Sequence, residues 1–142
     1  MARARFNPAA LECRVTAPRL LERPVQRATI HLLTMMGCHA VHVPNGSHLA
    51  GDRLARVKQM AALKKDGLRG GFPDLLVIDL RMPAGSNMPA RVGLIEVKRE
   101  GVEKLDPDQV WWRDEVRRIG LPWALVNTPD GGGAALREWG WR

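Results

Sequence analysis

Apolar positions along the chain change their spacing several times, and each change marks an element. In "ERPVQRATIHLLTMMG", Val25, Ala28, Thr29, Leu32 and Met36 fall on one stripe at helical spacing, which predicts an amphipathic helix. Pro24 suits its first turn and Gly37 its stop. "CHAVHVP" predicts a short strand, with a turn at Pro44-Asn45-Gly46. "DRLARVKQMAALKKDG" predicts a second helix, from a cap at Asp52 to a stop at Gly67, although basic residues interrupt its apolar stripe. Leu75–Leu80 and Val92–Val97 are apolar and rich in branched side chains, so they read as strands. Between them "RMPAGSNMPA" carries two prolines and a glycine and reads as a loop. "LDPDQVWWRDEVRRIGLP" predicts a helix with Asp106 at the cap, Pro107 in the first turn, Gln109 three residues after the cap, and Gly120 and Pro122 as stops. Trp123–Val126 reads as a short buried strand, "NTPDGGG" as a turn and Ala134–Trp139 as a last short helix.

This order predicts an α/β fold, a mixed central β-sheet with an antiparallel hairpin flanked by helices. The hairpin argues against a doubly wound nucleotide-binding fold, and no GxGxxG or GxxxxGK[ST] run is present. Residues 1–20, with Pro8, Pro18 and several arginines, read as an N-terminal arm or tail, and residues 21–142 as a single domain. A chain of 142 residues with 45% hydrophobic content can bury a real core. No apolar run approaches the roughly 18 residues that span a bilayer. The basic N-terminus lacks the apolar stretch of a signal peptide. Two cysteines, Cys13 and Cys38, make no disulfide framework, and a reducing cytoplasm is the default setting.

Charge adds a partner to this picture. The formal net charge is +7 and the pI about 10.4, which fits a polyanion, most simply nucleic acid. The most basic part is the second helix with the segment just after it: Arg53, Arg56, Lys58, Lys64, Lys65 and Arg69 would supply phosphate contacts, joined by Asn45, His48 and Arg99. A solvated face is the ordinary alternative for such a run.

The two central strands carry the chemistry. "GGFPDLLVIDL" places Asp74 at the mouth of one, and "VGLIEVKRE" places Glu96 and Lys98 on one face of the next, with Val97 on the other. A hairpin centred on the loop at Gly85 sets residues whose numbers sum to about 170 opposite each other, so Asp74 falls opposite Glu96. Two facing carboxylates repel, and Lys98 or a divalent cation would compensate. Mg²⁺ takes one or two carboxylates with water or phosphate completing its shell, lowers the pKa of bound water and stabilises charge on a phosphodiester. A surface salt bridge, worth about 0–1 kcal/mol, is the plain alternative. The histidines and Cys38 do not form the paired spacing of a zinc site.

"PDLLV", a loop and "LIEVK" look like the Pro-Asp and Glu-x-Lys signature of the PD-(D/E)xK nucleases. More specifically, the chain resembles the VRR-NUC family, the virus-type replication-repair nuclease domain. "ERPVQRATIHLL" resembles that family's first helix and "VPNGS" its Pro-Asn-Gly turn. "KKDGLRGGFPDLLV" resembles its approach to the strand, and "LDPDQVWWRDEVRRIG" its Ser-Pro-x-Gln helix start, with Asp106 for the usual Ser or Thr. The likeness runs from about Glu22 to Val126.

The resemblance implies a restriction-endonuclease-like core and a metal-dependent DNA endonuclease acting on branched, flap or four-way-junction DNA. It implies Mg²⁺ or Mn²⁺ on Asp74, Glu96 and the backbone carbonyl of Val97, with Lys98 as the catalytic lysine. Gln109 would orient that lysine or contact phosphate, and Glu22 would reach the metal or its water. It also implies a homodimer and suits a phage or prophage origin. Gln109 could equally be a capping-box residue, and Glu22 an acid favoured at a helix N-terminus. A catalytically silent basic DNA-binding module and an RNA-directed nuclease are the alternative functions. Glu100, Glu103 and Asp79 read as surface charges. Trp112 reads as core, Trp111 as a packing, dimer or base-stacking residue, and Trp139 and Trp141 as packing residues. Gly70 and Gly71 would let backbone approach the site and a phosphate there.

Overall fold

The computed structural model describes residues 18–44, 49–81 and 83–141. The elements run α1 (Glu22–Met35), β1 (Cys38–His42), α2 (Arg53–Lys65), β2 (Leu75–Asp79), β3 (Val92–Val97), α3 (Pro107–Arg118), β4 (Trp123–Val126) and α4 (Gly131–Glu138). The strands form one sheet in the order β1-β2-β3-β4. β1 and β3 are antiparallel to β2, and β4 is parallel to β3. The sheet is therefore mixed, and α3 is the crossover that a parallel pair requires.

Alternation along β2 assigns its faces. Leu75, Val77 and Asp79 are buried on one side, and Leu76 and Ile78 are half-buried on the other. The first side packs with Val25 and Leu33 of α1, Ala135 and Leu136 of α4, and Ile95, Val97, Ala124 and Val126 of the sheet. The second side is covered by α3: Leu94, Val116 and Trp123 close on Phe72, Leu76, Trp112 and Leu125. Two helices, the sheet and one helix make three layers. α2 lies outside them, and none of its residues is buried. Its start is fixed locally, by the Asp52 side chain accepting the Ala55 N–H at 2.8 Å.

Several expectations need correction. α4 begins at Gly131, inside the stretch read as a turn. Three glycines form helix poorly in isolation, but close packing explains two of them: a Cβ on Gly131 would come within 2.6 Å of Val126 Cγ1, and one on Gly132 within 3.1 Å of Thr29 Cγ2. β2 ends at Asp79, leaving Leu80 exposed.

Asp79 itself is a buried residue, 5% exposed. It is bridged by Arg81 at 2.7 Å and Arg91 at 3.6 Å. Arg81 also donates to the Trp141 carbonyl at 2.9 Å, which ties the C-terminal end to the sheet. Trp141 is core and Trp139 packs against it, as expected. Cys38 is buried too. Residues 1–17 of the arm, Cys13 among them, lie outside the described residues, as do Asn45 and His48.

Candidate active site

The hairpin brings Asp74 and Glu96 together. Its register pairs Leu75 with Ile95, Leu76 with Leu94, Val77 with Gly93 and Ile78 with Val92, so each pair sums to 170 and the next position outward sets Asp74 against Glu96. Asp74 stands one residue before the strand, after the fully buried Pro73. Its carbonyl accepts the Val43 N–H at 2.8 Å, which extends the β1 edge. Its carboxylate Oδ2 accepts the Val97 N–H at 2.8 Å.

Glu96 lies on the α3 side of β3 and is 2% exposed. Lys98, two residues on, shares that face, and its Nζ lies 3.3 Å from Glu96 Oε1. The Lys98 N–H donates to the Val126 carbonyl at 2.8 Å, so β4 holds the strand end that carries the lysine.

Gln109 joins the helix to this pair. Its Nε2 donates to Glu96 Oε1. Its Oε1 accepts from Lys98 Nζ at 2.8 Å and from the Asp106 N–H at 3.0 Å. A lysine only donates and an ionised carboxylate only accepts, so the amide has one orientation that satisfies both. Gln109 is thus a cap of α3 and a bridge between Glu96 and Lys98 at once. It points inward on the stripe of Trp112 and Val116, and Ile119, at the helix end, is 61% exposed. There the chain leaves the helix, so the stripe no longer faces the sheet.

The electrostatics are uncomfortable in a particular way. Burial, then the Asp74 charge, pushes Glu96 up to about 7, against the pull of Lys98. Burial also raises Asp74, opposed by the Val97 N–H, Lys98 and His42. Glu22, the first residue of α1, is raised by burial and by Asp74 and lowered by Lys98, which puts its charge within reach of the same group. His42 had no sequence signal. It stands at the end of β1 opposite Leu75, and only the β1–β2 pairing brings it near Asp74.

Among the described residues, no three His, Cys, Asp or Glu side chains gather closely enough to hold a metal by themselves. A cation here would rest on the Asp74–Glu96 pair with backbone, water or phosphate oxygens completing its shell. Two raised carboxylates with oxygen-only donors fit a hard divalent ion, whose charge would relieve the repulsion that burial intensifies.

Gly71 serves a close approach of backbone to the start of α3. Gly71 has φ +74°, and a Cβ there would fall 2.6 Å from the Asp108 backbone carbon and 2.8 Å from the Gln109 nitrogen. The glycine lets the Gly70–Asp74 loop press against the start of α3, where Gln109 sits; the partner of the close approach is the helix. Trp112 reinforces this contact, its indole N–H donating to the Gly70 carbonyl at 3.1 Å. Trp112 is half-buried against the α3-side core, stacked edge-on with Phe72 and with Trp111. Trp111 is 56% exposed.

The basic residues border different hollows. Arg53, Arg56 and Lys64 border a groove of about 700 Å³ floored by Leu49, Val57, Met60 and Ala61. Lys58 and Lys65 are exposed but do not line that groove. Arg69 borders a smaller hollow with Phe72 and Trp112. Arg99 stands apart, beside Leu20 and Glu100.

A mixed four-stranded sheet flanked by helices, with an acid before its second strand and Glu-x-Lys on its third, has the form of a nuclease core. Residues 27–129 match the VRR-NUC domain, and the chain belongs to that family of nucleases. Asp74, Glu96, Val97, Lys98 and Gln109 fall inside the matched span; Glu22 falls just before it. No curated protein and no solved structure matches the chain. Nucleases of the PD-(D/E)xK type generally use divalent metals, and a nuclease domain implies DNA binding. No helix among the described residues is long and apolar enough to cross a membrane.

Proposed function

We propose that the protein is a divalent-metal-dependent endonuclease that hydrolyses phosphodiester bonds in DNA, with branched, flap or four-way-junction DNA as its preferred class. The observation that carries this reading is the Asp74–Glu96 pair bridged by Gln109 to Lys98. Mg²⁺ or Mn²⁺ would be held by Asp74, Glu96 and the Val97 carbonyl, with Glu22 nearby, and would supply Lewis-acid stabilisation and a lowered pKa for bound water. Lys98 is the cationic group next to that pair, and it neutralises charge developing on the phosphate or orients the attacking water. Gln109 fixes its ammonium. Arg53, Arg56, Lys58, Lys64, Lys65, Arg69 and Arg99 hold the backbone of the substrate, with Asn45 and His48. A homodimer suits a two-fold junction substrate, and light scattering measures that state directly.

The test is purified protein with Mg²⁺ on labelled linear duplex, single strand, flap and four-way junction, with an RNA arm. Cleavage of a branched DNA that disappears in Lys98→Ala supports the reading. No cleavage of any substrate, or full cleavage by Lys98→Ala, overturns it.

The exposed basic face of α2, which needs no metal, favours a second reading, a silent DNA-binding module. It predicts salt-sensitive binding without hydrolysis. Calorimetric titration of Mn²⁺ separates the two: the enzyme binds the ion and Asp74→Asn does not.

A further inference from the structure

The chain enters α1 without a side-chain cap: Leu21, the cap residue, makes no such bond. The first turn, which carries Glu22, is instead anchored from outside by Glu100. The Leu20 N–H donates to Glu100 Oε2 at 2.9 Å, and the Glu100 N–H donates to the Leu20 carbonyl at 3.0 Å. One residue thus engages both backbone polar groups of Leu20, across 80 positions of sequence. This corrects the reading of Glu100 as a plain surface charge.

The places of the two ends matter. Leu20 precedes Glu22 by two residues, and Glu100 comes two residues after Lys98. The clamp therefore joins the piece of chain that presents Glu22 to the strand end that presents Glu96 and Lys98. A carboxylate beside a helix N-terminus is also favoured by the helix dipole. The rest of α1 is held independently, by Val25, Thr29 and Leu33 buried in the core. Loss of the carboxylate half of the clamp, which leaves the Glu100 N–H on the Leu20 carbonyl, should then loosen the first turn without unfolding the helix.

We propose that Glu100 is a positioning residue: its two-point clamp on Leu20 fixes Glu22 against Asp74 and Lys98. The proposal rests on the nuclease reading with Glu22 in the site. Glu100 touches no reacting atom and acts through Glu22 alone.

The experiment compares wild type, Glu100→Ala, Glu100→Gln, Glu22→Ala and the Glu22→Ala/Glu100→Ala double variant on the preferred DNA substrate with Mg²⁺. Amide exchange is measured in parallel at Leu20 and at Val25, whose N–H donates to the Leu21 carbonyl at 3.3 Å. Glu100→Ala should lower kcat roughly tenfold with KM nearly unchanged, since small misplacements of a catalytic group cost about that much or more. Glu100→Gln keeps an acceptor oxygen and should restore most of the rate. In the Glu22→Ala background, Glu100→Ala should add nothing. Exchange should quicken at Leu20 and Val25 and stay unchanged in the remainder of the helix.

Losses that multiply in the double variant, wild-type activity in Glu100→Ala or Glu22→Ala, or unchanged exchange in Glu100→Ala each overturn the proposal. A wild-type chain that cleaves no DNA overturns the nuclease reading and this proposal with it. An active wild type whose variants multiply overturns this proposal alone.

Discussion

β2 is flanked by aspartates, Asp74 just before it and Asp79 as its last residue, and the two are handled in opposite ways. Asp79, on the α1–α4 side, is met by two arginines, and the Arg81 hydrogen bond holds its carboxyl below the usual range. Asp74, on the other side, is met by a backbone N–H and by another carboxylate, and burial pushes it up. The same residue type, about one strand length apart, is neutralised at one end and left in repulsion at the other. Structural charges carry their counterions within the chain. At the site Lys98 faces both Asp74 and Glu96, with His42 near Asp74, and burial still raises both carboxyls.

The largest effect expected from breaking this contrast is at the site. Under the proposed function, Lys98→Ala and Asp74→Asn should each lower kcat by about 10³-fold or more in the Mg²⁺ cleavage assay, because the first removes the cation beside the reacting phosphate and the second a metal ligand. Asp79→Ala should leave kcat within about threefold, measured where the variant is folded.

Stability against pH comes next. Glu96 titrates from an ordinary 4.5 to about 7 in the fold. A carboxyl raised on folding takes up a proton, so its contribution is fully present below 4.5, is lost as pH rises through 7, and stays absent above. The metal-free protein should lose on the order of 3 kcal/mol across that window. Urea titrations read this slope, and Glu96→Gln should flatten most of it, leaving a smaller slope of the same sign from Asp74. Saturating Mn²⁺ should oppose the loss, adding about 2.7 kcal/mol at a hundred times its Kd.

Asp79 has the opposite sign. Its lowered carboxyl contributes above its ordinary value and loses that contribution as pH falls below it. Asp79→Ala strands Arg81 and Arg91, whose side chains are about a third exposed. The expected cost is about 2 kcal/mol in a denaturant titration, less than for a fully buried pair because solvent screens both arginines. No change in stability would remove the claim that Asp79 is a structural charge.

The smallest effect is on α2. Each single Arg53, Arg56 or Lys64→Ala substitution should reduce the slope of log K for DNA against log salt by about one. Thermal stability should move by no more than about 0.5 kcal/mol, since nothing on α2 is buried. A large loss of stability would show that the groove is part of the core after all.

Much of this was legible along the chain. Local capping, proline and glycine placement and the change from helical to strand spacing gave the order of elements. The loop between β2 and β3 gave the register that sets Asp74 against Glu96. Gln109 was legible as two alternatives, cap or site, and its amide, with a donor and an acceptor, caps α3 and bridges Glu96 to Lys98. The start of α4, the burial of Asp79 and the clamp at Glu100 were not legible. Each depends on a partner distant in sequence: α1 and β4 for the glycines, Arg91 and the Trp141 carbonyl for the Asp79–Arg81 pair, Leu20 for Glu100.

The sequence by itself therefore determined what lies within one hairpin or one helix: the acid pair, the lysine on its face, the basic composition. Those relations come from fixed backbone periods and short loops. Tertiary structure alone decided which charges are compensated, because a carboxylate is neutralised or left repelling by whatever the fold packs against it. Asp74 and Asp79 look alike in the chain, and their neighbours make the second a structural ion pair and the first half of a candidate metal site.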